Sequence, residues 1–224
     1  MIVPAERLDL WLAGFAERHG SLQWTATPEQ VVVTGADGCT AGCEVPFPPL
    51  APDEGAPFAG LVAHACAERS VGVVLVRLGG YAVGVFRRSQ LVASKVGSRP
   101  VHGRAAAGGW SQKRFARRRE GQARVALEAA ADAAAHVVAP VAGSLDAVVT
   151  GGDRHAVEAV LGDARLGVLL SLRAGRLLDV PEPRQRTLAE VFRRSSAVRI
   201  RIVESPLHRH GKEKEEEQPP QHEM

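Results

Sequence analysis

The sequence predicts a mixed α/β (α+β) fold, in which a sheet begins as an antiparallel meander and continues with alternating strands and helices. Three observations support this fold class. Three short β-rich runs, VGVVLVRL, GYAVGVFRR and QLVASKV, follow one another directly. A long alanine-rich helical pattern comes next, over 111–138. Strand-like and helical runs then alternate as far as residue 203, which is typical of mixed-sheet domains.

The first part of the chain is expected to form a helix and a hairpin. Residues 5–19 carry apolar side chains at helical spacing, namely Leu8, Trp11, Leu12 and Phe15. The β-branched run over 30–33 predicts a strand, and 39–45 is its expected partner across the ADG turn. We therefore interpret residues 1–50 as an N-terminal lobe or an added layer.

Glycine and proline residues mark the connections that follow. The segment 46–57 is proline-rich, and 58–69 then has a helical pattern. Gly79-Gly80 and Ser89 separate the three strands of the meander, which makes an antiparallel arrangement the expected one. Pro140 ends the long helix, because proline cannot continue a helical hydrogen-bond ladder.

The second half of the chain completes the expected domain, which we place at 51–204. The elements predicted there are a strand over 145–150, a helix over 154–161, a strand over 166–172, a helix over 188–194 and a final strand over 197–203. The tail 205–224 contains KEKEEEQPPQ, and we expect it to be disordered because it is polar and charged.

Positive charge is concentrated in one segment. The net charge is only +3, from 28 basic and 25 acidic residues. The segment 95–119 holds eight of the basic residues and no acidic one, so the rest of the chain carries a net negative charge. A confined basic patch on an acidic body points to a polyanionic partner.

Composition argues against a secreted or membrane-bound protein. No run approaches the length of about 18 to 20 apolar residues that a membrane span needs, and the N-terminus lacks signal-peptide features. Cys39, Cys43 and Cys66 are too few and odd in number for a disulfide framework, so a cytoplasmic location is expected. With His64 these cysteines match no common zinc spacing, and buried thiols are the favoured interpretation.

The segment 97–111 is rich in glycine and alanine and has almost nothing to bury, so we expect it to be mobile in the free protein. At this length it could project roughly 25 Å. Ser111 is a suitable N-cap, which would start the helix at Gln112. Basic residues in a first helical turn oppose the helix dipole, and like charges four residues apart repel, so a bound polyanion would relieve both costs.

Gln112 stands out because no catalytic carboxylate or cysteine accompanies the basic patch. Its amide donates and accepts hydrogen bonds but does not remove a proton. Such a side chain suits a site where a water molecule is positioned while the partner supplies the charge chemistry. His102 is the ordinary general base within the loop, and we interpret it as an exposed loop residue.

The segment GGWSQKRFARRR, with KVGSRPVHGR before it, resembles the catalytic segment of the Vms/ANKZF-like release-factor (VLRF) family, above all its actinobacterial peptidyl-tRNA hydrolase branch. That family is related to the middle domain of eukaryotic and archaeal class-I release factors, a ribonuclease-H-like domain with a Gly-Gly-Gln tip. Gly108 and Gly109 correspond to the two glycines. Gln112 corresponds to the glutamine, displaced by Trp110 and Ser111. The resemblance covers about residues 70 to 135.

The resemblance implies a release-factor middle-domain fold and a ribosome-associated peptidyl-tRNA hydrolase. Gln112 would place water against the ester, Gly108 and Gly109 would allow close approach to RNA, and Trp110 and Ser111 would help to position the loop. Its partners would be the large ribosomal subunit, through rRNA, and peptidyl-tRNA, without a cofactor or metal. The residues expected to bind RNA phosphates are Arg99, Arg104, Lys113, Arg114, Arg117, Arg118 and Arg119. No codon-reading domain is evident, which favours rescue of stalled ribosomes.

Two alternatives remain open. A metal-dependent nuclease would need clustered carboxylates, and Asp37, Asp146 and Asp153 are the available candidates, far apart in the sequence. A non-catalytic module that binds rRNA or tRNA would use the same basic patch without needing Gln112.

Overall fold

The computed structural model describes residues 1–77, 79–98 and 110–204, except the side chains of 110–119. It divides into two compact units. Unit 1 comprises Met1–Ala67 together with the described residues 196–204, and unit 2 comprises Glu68–Ser195. Most of the segment expected to be mobile and all of the tail expected to be disordered lie outside the described residues.

The described chain contains nine strands and six α-helices. The strands are β1 (Ile2–Val3), β2 (Leu22–Ala26), β3 (Gln30–Gly35), β4 (Thr40–Glu44), β5 (Ser70–Arg77), β6 (Gly80–Arg87), β7 (Gln90–Ser98), β8 (Ala147–Gly152) and β9 (Val198–Val203). The helices are α1 (Leu8–His19), α2 (Leu61–Cys66), α3 (Trp110–Val137), α4 (Arg154–Leu161), α5 (Gly167–Leu170) and α6 (Gln185–Ser196). Short 3-10 turns include Ala5–Arg7, Pro57–Gly60, Ala139–Ser144 and Ala164–Leu166. This content confirms the predicted mixed α+β class.

Unit 1 is a five-stranded antiparallel sheet in the order β1-β9-β4-β3-β2. Alternate residues of its central strands are buried, as the period of two in a strand requires. They pack with the apolar stripe of α1, in which Leu8, Leu12 and Phe15 are fully buried. The helix expected over 5–19 and the hairpin of 30–33 with 39–45 are therefore confirmed.

Three local features of unit 1 differ from the sequence prediction. Strands β1 and β2 were not predicted, because β1 has two residues and β2 exposes its polar residues at the edge of the sheet. The helix expected over 58–69 is shorter, since a 3-10 turn precedes α2 and the helix ends at Cys66. Phe58 and Ala59 have positive φ angles of 54° and 53°, which an α-helix does not accommodate.

The division between the units also differs from the expected boundaries of 1–50 and 51–204. Residues 51–67 belong to unit 1, because Leu61 and Ala65 pack into its core. Strand β9 belongs there too, because Ile200 pairs with Cys43 in β4. The predicted strand over 197–203 thus exists, but in the sheet formed by the start of the chain.

Unit 2 is built on a four-stranded mixed sheet in the order β7-β6-β5-β8. The meander β5-β6-β7 is antiparallel, as predicted, and β8 adds parallel to β5. Val92 is an extra residue in β7, since Phe86 pairs with Leu91 and Val85 with Ala93. Strand β7 is the exposed edge next to the segment 99–109.

Helices cover both faces of this sheet. On one face α3 and α4 pack on Val74, Val83 and Val148. On the other face α6 contributes Leu188 and Phe192, and the Phe192 ring stacks on Phe86 with centroids 4.5 Å apart. The predicted helices over 111–138, 154–161 and 188–194 are confirmed within a few residues at each end.

The apolar half of α3 is the part that packs on the sheet. Ala130, Ala131, Ala133 and Ala134 are all buried there. By length and composition the stretch Glu120–Ser144 is also long and apolar enough to cross a membrane. One such helix is weak evidence for a membrane span, because the core helix of a soluble protein can have the same length and composition.

The strand predicted over 166–172 is wrong. The chain there forms the 3-10 turn Ala164–Leu166 followed by α5. Leu166 and Leu169 are buried whereas Val168 and Leu170 are exposed, which is the spacing of a helical turn. A short continuous apolar run does not distinguish a strand from a buried helical segment by its pattern alone.

The interpretation as buried thiols is confirmed for Cys39 and Cys43 and is wrong for Cys66. Cys39 and Cys43 are buried, Cys66 is exposed, and all three are free. Burial raises the pKa of the Cys43 thiol to about 12. Among the described residues no group of three or more histidine, cysteine or acidic side chains is arranged to hold a metal ion.

Candidate functional site

The predicted site residues fall into two sets. Arg99, Arg104, Gly108 and Gly109 lie outside the described residues, as does His102. The others lie within the first ten residues of α3, namely Trp110, Ser111, Gln112, Lys113, Arg114, Arg117, Arg118 and Arg119. The helix begins at Trp110, so Ser111 lies inside the helix rather than at the N-cap, and Gln112 lies in the first turn. Their functional roles stay predictions.

Helix α3 carries these residues away from the sheet. Its direction follows from two contacts: Val138, just after the helix, lies against Gly72 near the start of β5, and Leu127 packs near Tyr81 at the opposite end. The 28 residues of α3 correspond to about 42 Å at 1.5 Å per residue. Ala123 lies at the end of the sheet. Trp110, at the N-terminus of α3, is therefore about 20 Å beyond the sheet along the helix axis.

The carboxyl end of strand β7 packs against an aromatic ring. Gly97 pairs with Tyr81, and the Tyr81 ring lies across it. A Cβ atom at Gly97 would come within 2.5 Å of Tyr81 Cζ, so the contact requires glycine. This packing, common where a strand glycine meets an aromatic neighbour, holds the Tyr81 ring over the end of β7.

A cavity of about 280 Å³ opens at the same end of the sheet. The adjoining ends of β5 and β6 contribute Arg77 and Tyr81, and α3 contributes Ala126 and Leu127. The start of α4 closes it with Asp153 and His155. The cavity lies where the parallel strands β5 and β8 have their carboxyl ends, the usual position of ligand sites in α/β sheets.

Two hydrogen bonds of Asp153 hold the start of α4 in place as one wall of the cavity. The Asp153 side chain caps α4 by accepting a hydrogen bond from the backbone N of Ala156 at 3.1 Å. The backbone N of Asp153 donates to the carbonyl oxygen of Val76 at 2.8 Å. Gly152 before it has a φ of 109°, and a Cβ there would lie 2.0 Å from the same carbonyl oxygen. Only glycine fits between β8 and α4.

The two carboxylates of unit 2 that were considered for a nuclease, Asp146 and Asp153, do not come together. Asp37 belongs to unit 1 and pairs with His19 at 2.8 Å. Asp146 accepts a hydrogen bond from the backbone N of Ser70 at 2.7 Å, at the start of β8, whereas Asp153 follows the end of that strand. Seven residues of extended chain separate Asp146 and Asp153 by about 23 Å. That separation is too large for the two carboxylates to share one metal ion.

The basic character of this region extends beyond 95–119. The sequence has no acidic residue between Glu68 and Glu120. Within these limits it has twelve basic residues, Arg69, Arg77, Arg87, Arg88, Lys95, Arg99, Arg104, Lys113, Arg114, Arg117, Arg118 and Arg119. The meander and the first ten residues of α3 therefore form one electropositive stretch of chain.

Comparison with known proteins identifies the family. The model of the Actinobacteria/chloroflexi VLRF1 release factor family matches residues 69–201, more than half of the chain. The chain belongs to this family. The match confirms the resemblance drawn from the GGWSQ segment, and it spans the meander, α3 and the segment between them.

Two solved structures show a distant similarity to this VLRF1-family chain. The archaeal translation termination factor aRF1 is similar with a TM-score of 0.44 and 17% identity, over 82% of this chain and 53% of that one. A second structure, described as an archaeal protein, has a TM-score of 0.41 and 16% identity, over 82% of this chain and 54% of that one. The VLRF1-family chain thus spans about half the length of these structures. No curated protein matched.

The sequence of this VLRF1-family chain did not predict a role for several residues at the end of the sheet where the cavity lies. Tyr81 and Gly97 were recognised only as strand residues, and Asp153 only as an isolated carboxylate. The GGD sequence before α4 was a usable signal, because an aspartate after glycine and before a helical run is a frequent N-cap. The cavity itself combines three elements that the sequence does not place together.

Proposed function

We propose that this VLRF1-family protein is a ribosome-associated peptidyl-tRNA hydrolase that releases nascent chains from stalled ribosomes. The observation that carries the proposal is the position of GGWSQ. The family match covers it, and its last three residues are the first three of α3, a helix that extends about 20 Å beyond the sheet. A glycine-containing segment at the end of such a helix is suited to entering a narrow site in RNA. Its action would take place in the cytoplasm, on the large subunit.

In the proposed reaction Gln112 orients a water molecule toward the ester carbonyl carbon of peptidyl-tRNA. The water oxygen bonds to that carbon, and the bond to the ribose oxygen of the terminal adenosine breaks. The water proton is transferred to the ribose oxygen, which leaves as a hydroxyl. Because a glutamine amide does not accept that proton, the transfer would proceed through RNA groups or solvent, and Gln112 would act as a positioning donor and acceptor.

The experiment that tests the proposal uses purified protein and ribosomes carrying a labelled peptidyl-tRNA. We expect peptide release that depends on the protein, while rRNA and tRNA stay intact on a denaturing gel. Binding without release would favour the non-catalytic RNA-binding alternative, which the basic stretch alone could support. Fragmentation of RNA would favour a nuclease.

Ribosome binding is expected to depend steeply on salt through the first turns of α3. Replacing Arg117 and Arg118 together by glutamate should weaken binding at least tenfold at moderate salt. It should also lower the slope of log K against log salt concentration by about 1.5, because each lost phosphate contact removes about 0.7 to 0.9. Equilibrium sedimentation with ribosomes at several salt concentrations measures both quantities.

The matched control makes the same change of charge on α6, where Arg186 and Arg193 are exposed. If the double glutamate variant of α6 weakens binding as much as that of α3, the effect reflects net charge and the assignment to α3 fails.

A further inference from the structure

The proposed reaction at Gln112 does not use the cavity at the end of the sheet. Gln112 lies about 16 Å from Ala123, which lines the cavity, toward the N-terminus of α3. We propose that this cavity binds an unpaired RNA base that carries an exocyclic amino group. The inference rests on the proposed function, because it takes RNA as the partner of unit 2.

The size and the walls of the cavity fit one flat ring system. Its volume of about 280 Å³ is just below the range of roughly 300 to 1,000 Å³ that is usual for small-molecule sites. Val76, Ala126 and Leu127 supply apolar walls, and the Tyr81 ring, held across Gly97, supplies a rigid aromatic one. Proteins that bind single-stranded RNA place splayed-out bases against such surfaces.

One carboxylate gives the cavity a chemical preference. Asp153 lines the cavity, and its Oδ1 accepts from the backbone N of Ala156 at 3.1 Å, which fixes the side chain. Its Oδ2 accepts no hydrogen bond from the described residues and is therefore available as an acceptor. An amino group on a base edge donates to a carboxylate, as cytosine N4 does to aspartate and glutamate in DNA complexes. A base with a carbonyl oxygen at that position would face the carboxylate with an acceptor and would be disfavoured.

The same carboxylate argues against a phosphate in this cavity. A helix N-terminus attracts anions, but at α4 the Asp153 carboxylate already occupies that position. Arg77 is the cationic side chain at the rim, and its guanidinium makes a long contact of 4.0 Å with Asp179. The planar guanidinium of Arg77 suits packing on a base, whereas a bound phosphate beside the Asp153 carboxylate would require one cation to compensate for two anions.

The surroundings indicate that the ligand is part of a polyanion. Arg77, which borders the cavity, lies in the stretch between Glu68 and Glu120 that has no acidic residue. The part of α3 that borders the cavity follows the segment 113–119, which contains five basic residues. RNA held along this stretch by its phosphates would present bases to an apolar cavity beside it. A base is the component of RNA that such a cavity accepts.

The test uses uncharged nucleosides, so the basic stretch contributes nothing to binding. Cytidine and uridine have nearly the same shape and differ in an amino group against a carbonyl oxygen. In a titration of ¹⁵N-labelled protein followed by NMR, we expect cytidine to shift the amide signals of Gly79 and Gly80, which border the cavity. The dissociation constant should be on the order of millimolar. Uridine should bind about tenfold more weakly, the effect of one hydrogen bond to a charged group.

Two variants test the two parts of the proposal. Ala126→Phe should fill the cavity and abolish the shifts, whereas Val125→Phe, at a neighbouring residue that is 38% exposed and outside the cavity lining, should leave them unchanged. Asp153→Asn keeps a good N-cap but offers an amide donor, so the preference for cytidine should disappear or reverse.

The proposal is overturned if neither nucleoside shifts these signals in the folded protein up to its solubility limit. It is also overturned if cytidine and uridine bind equally whether residue 153 is aspartate or asparagine, or if Ala126→Phe binds as well as the original chain. The measurement involves no ribosome and no hydrolysis. A negative result for nucleoside binding would therefore not contradict peptidyl-tRNA hydrolysis. A negative result for peptide release would likewise not contradict nucleoside binding in the cavity.

Discussion

Replacing Gln112 by alanine is expected to lower the rate of peptide release from ribosome-bound peptidyl-tRNA by about 100-fold or more. Loss of one oriented hydrogen-bonding group at a reacting centre has an effect of this size. Binding to the ribosome should stay within about twofold, because the phosphate contacts proposed for α3 involve its basic residues. The rate is measured in a single turnover, with the protein in excess over ribosomes.

Gln122 offers a matched control for this variant, since it is a glutamine on the same helix, ten residues further on. Gln122→Ala should release peptide at the original rate. Both changes replace glutamine by a better helix former, so neither should alter folding by more than about 0.5 kcal/mol. If Gln112→Ala releases peptide as fast as Gln122→Ala, the assigned residue is wrong, and His102 becomes the next one to test.

Replacing Gly152 by alanine is expected to destabilise unit 2 by about 3 kcal/mol or more. The residue has a φ of 109°, and its Cβ would lie 2.0 Å from the carbonyl oxygen of Val76. That oxygen is backbone, so no side-chain rotation relieves the clash. Because the same carbonyl accepts the N–H of Asp153, the change would also displace the cap of α4 and one wall of the cavity.

Urea unfolding followed by circular dichroism measures this change in the free energy of unfolding. Gly143 serves as the control, because nothing lies within 4 Å of a Cβ built there and its φ is not positive. Gly143→Ala should be neutral or slightly stabilising, since alanine loses less entropy on folding. A Gly152→Ala variant with the original unfolding midpoint would contradict the close approach of β8 to β5.

Local patterns predicted most elements of unit 2, with the exception of the run over 166–172. The meander was readable because three β-rich runs are separated by short turns, and α4 because its apolar residues recur at helical spacing after GGD. In both cases the decisive contacts lie close together in the sequence. The basic first turns of α3 and their acid-free surroundings were equally visible, since charge needs no tertiary context to be read.

Contacts between distant segments were not predictable in the same way. Strand β9 was expected at the right residues, yet its partner Cys43 lies more than 150 residues earlier. The run over 166–172 was assigned to a strand because its apolar residues are continuous, and only the burial of Leu166 and Leu169 shows the helical turn. The cavity depends on Tyr81, Leu127 and Asp153 meeting at one end of the sheet, which follows from the order of the strands.

The chemical identity of the released peptide tests the central claim most directly. The peptide freed by this protein from ribosome-bound peptidyl-tRNA would be analysed by mass spectrometry, together with the 3′ end of the tRNA. Ester hydrolysis predicts a peptide with a free carboxyl terminus and a tRNA that keeps its terminal adenosine. A peptide that still carries one or more nucleotides would show that an RNA phosphodiester was cut instead, and would contradict the assignment of this chain as a peptidyl-tRNA hydrolase.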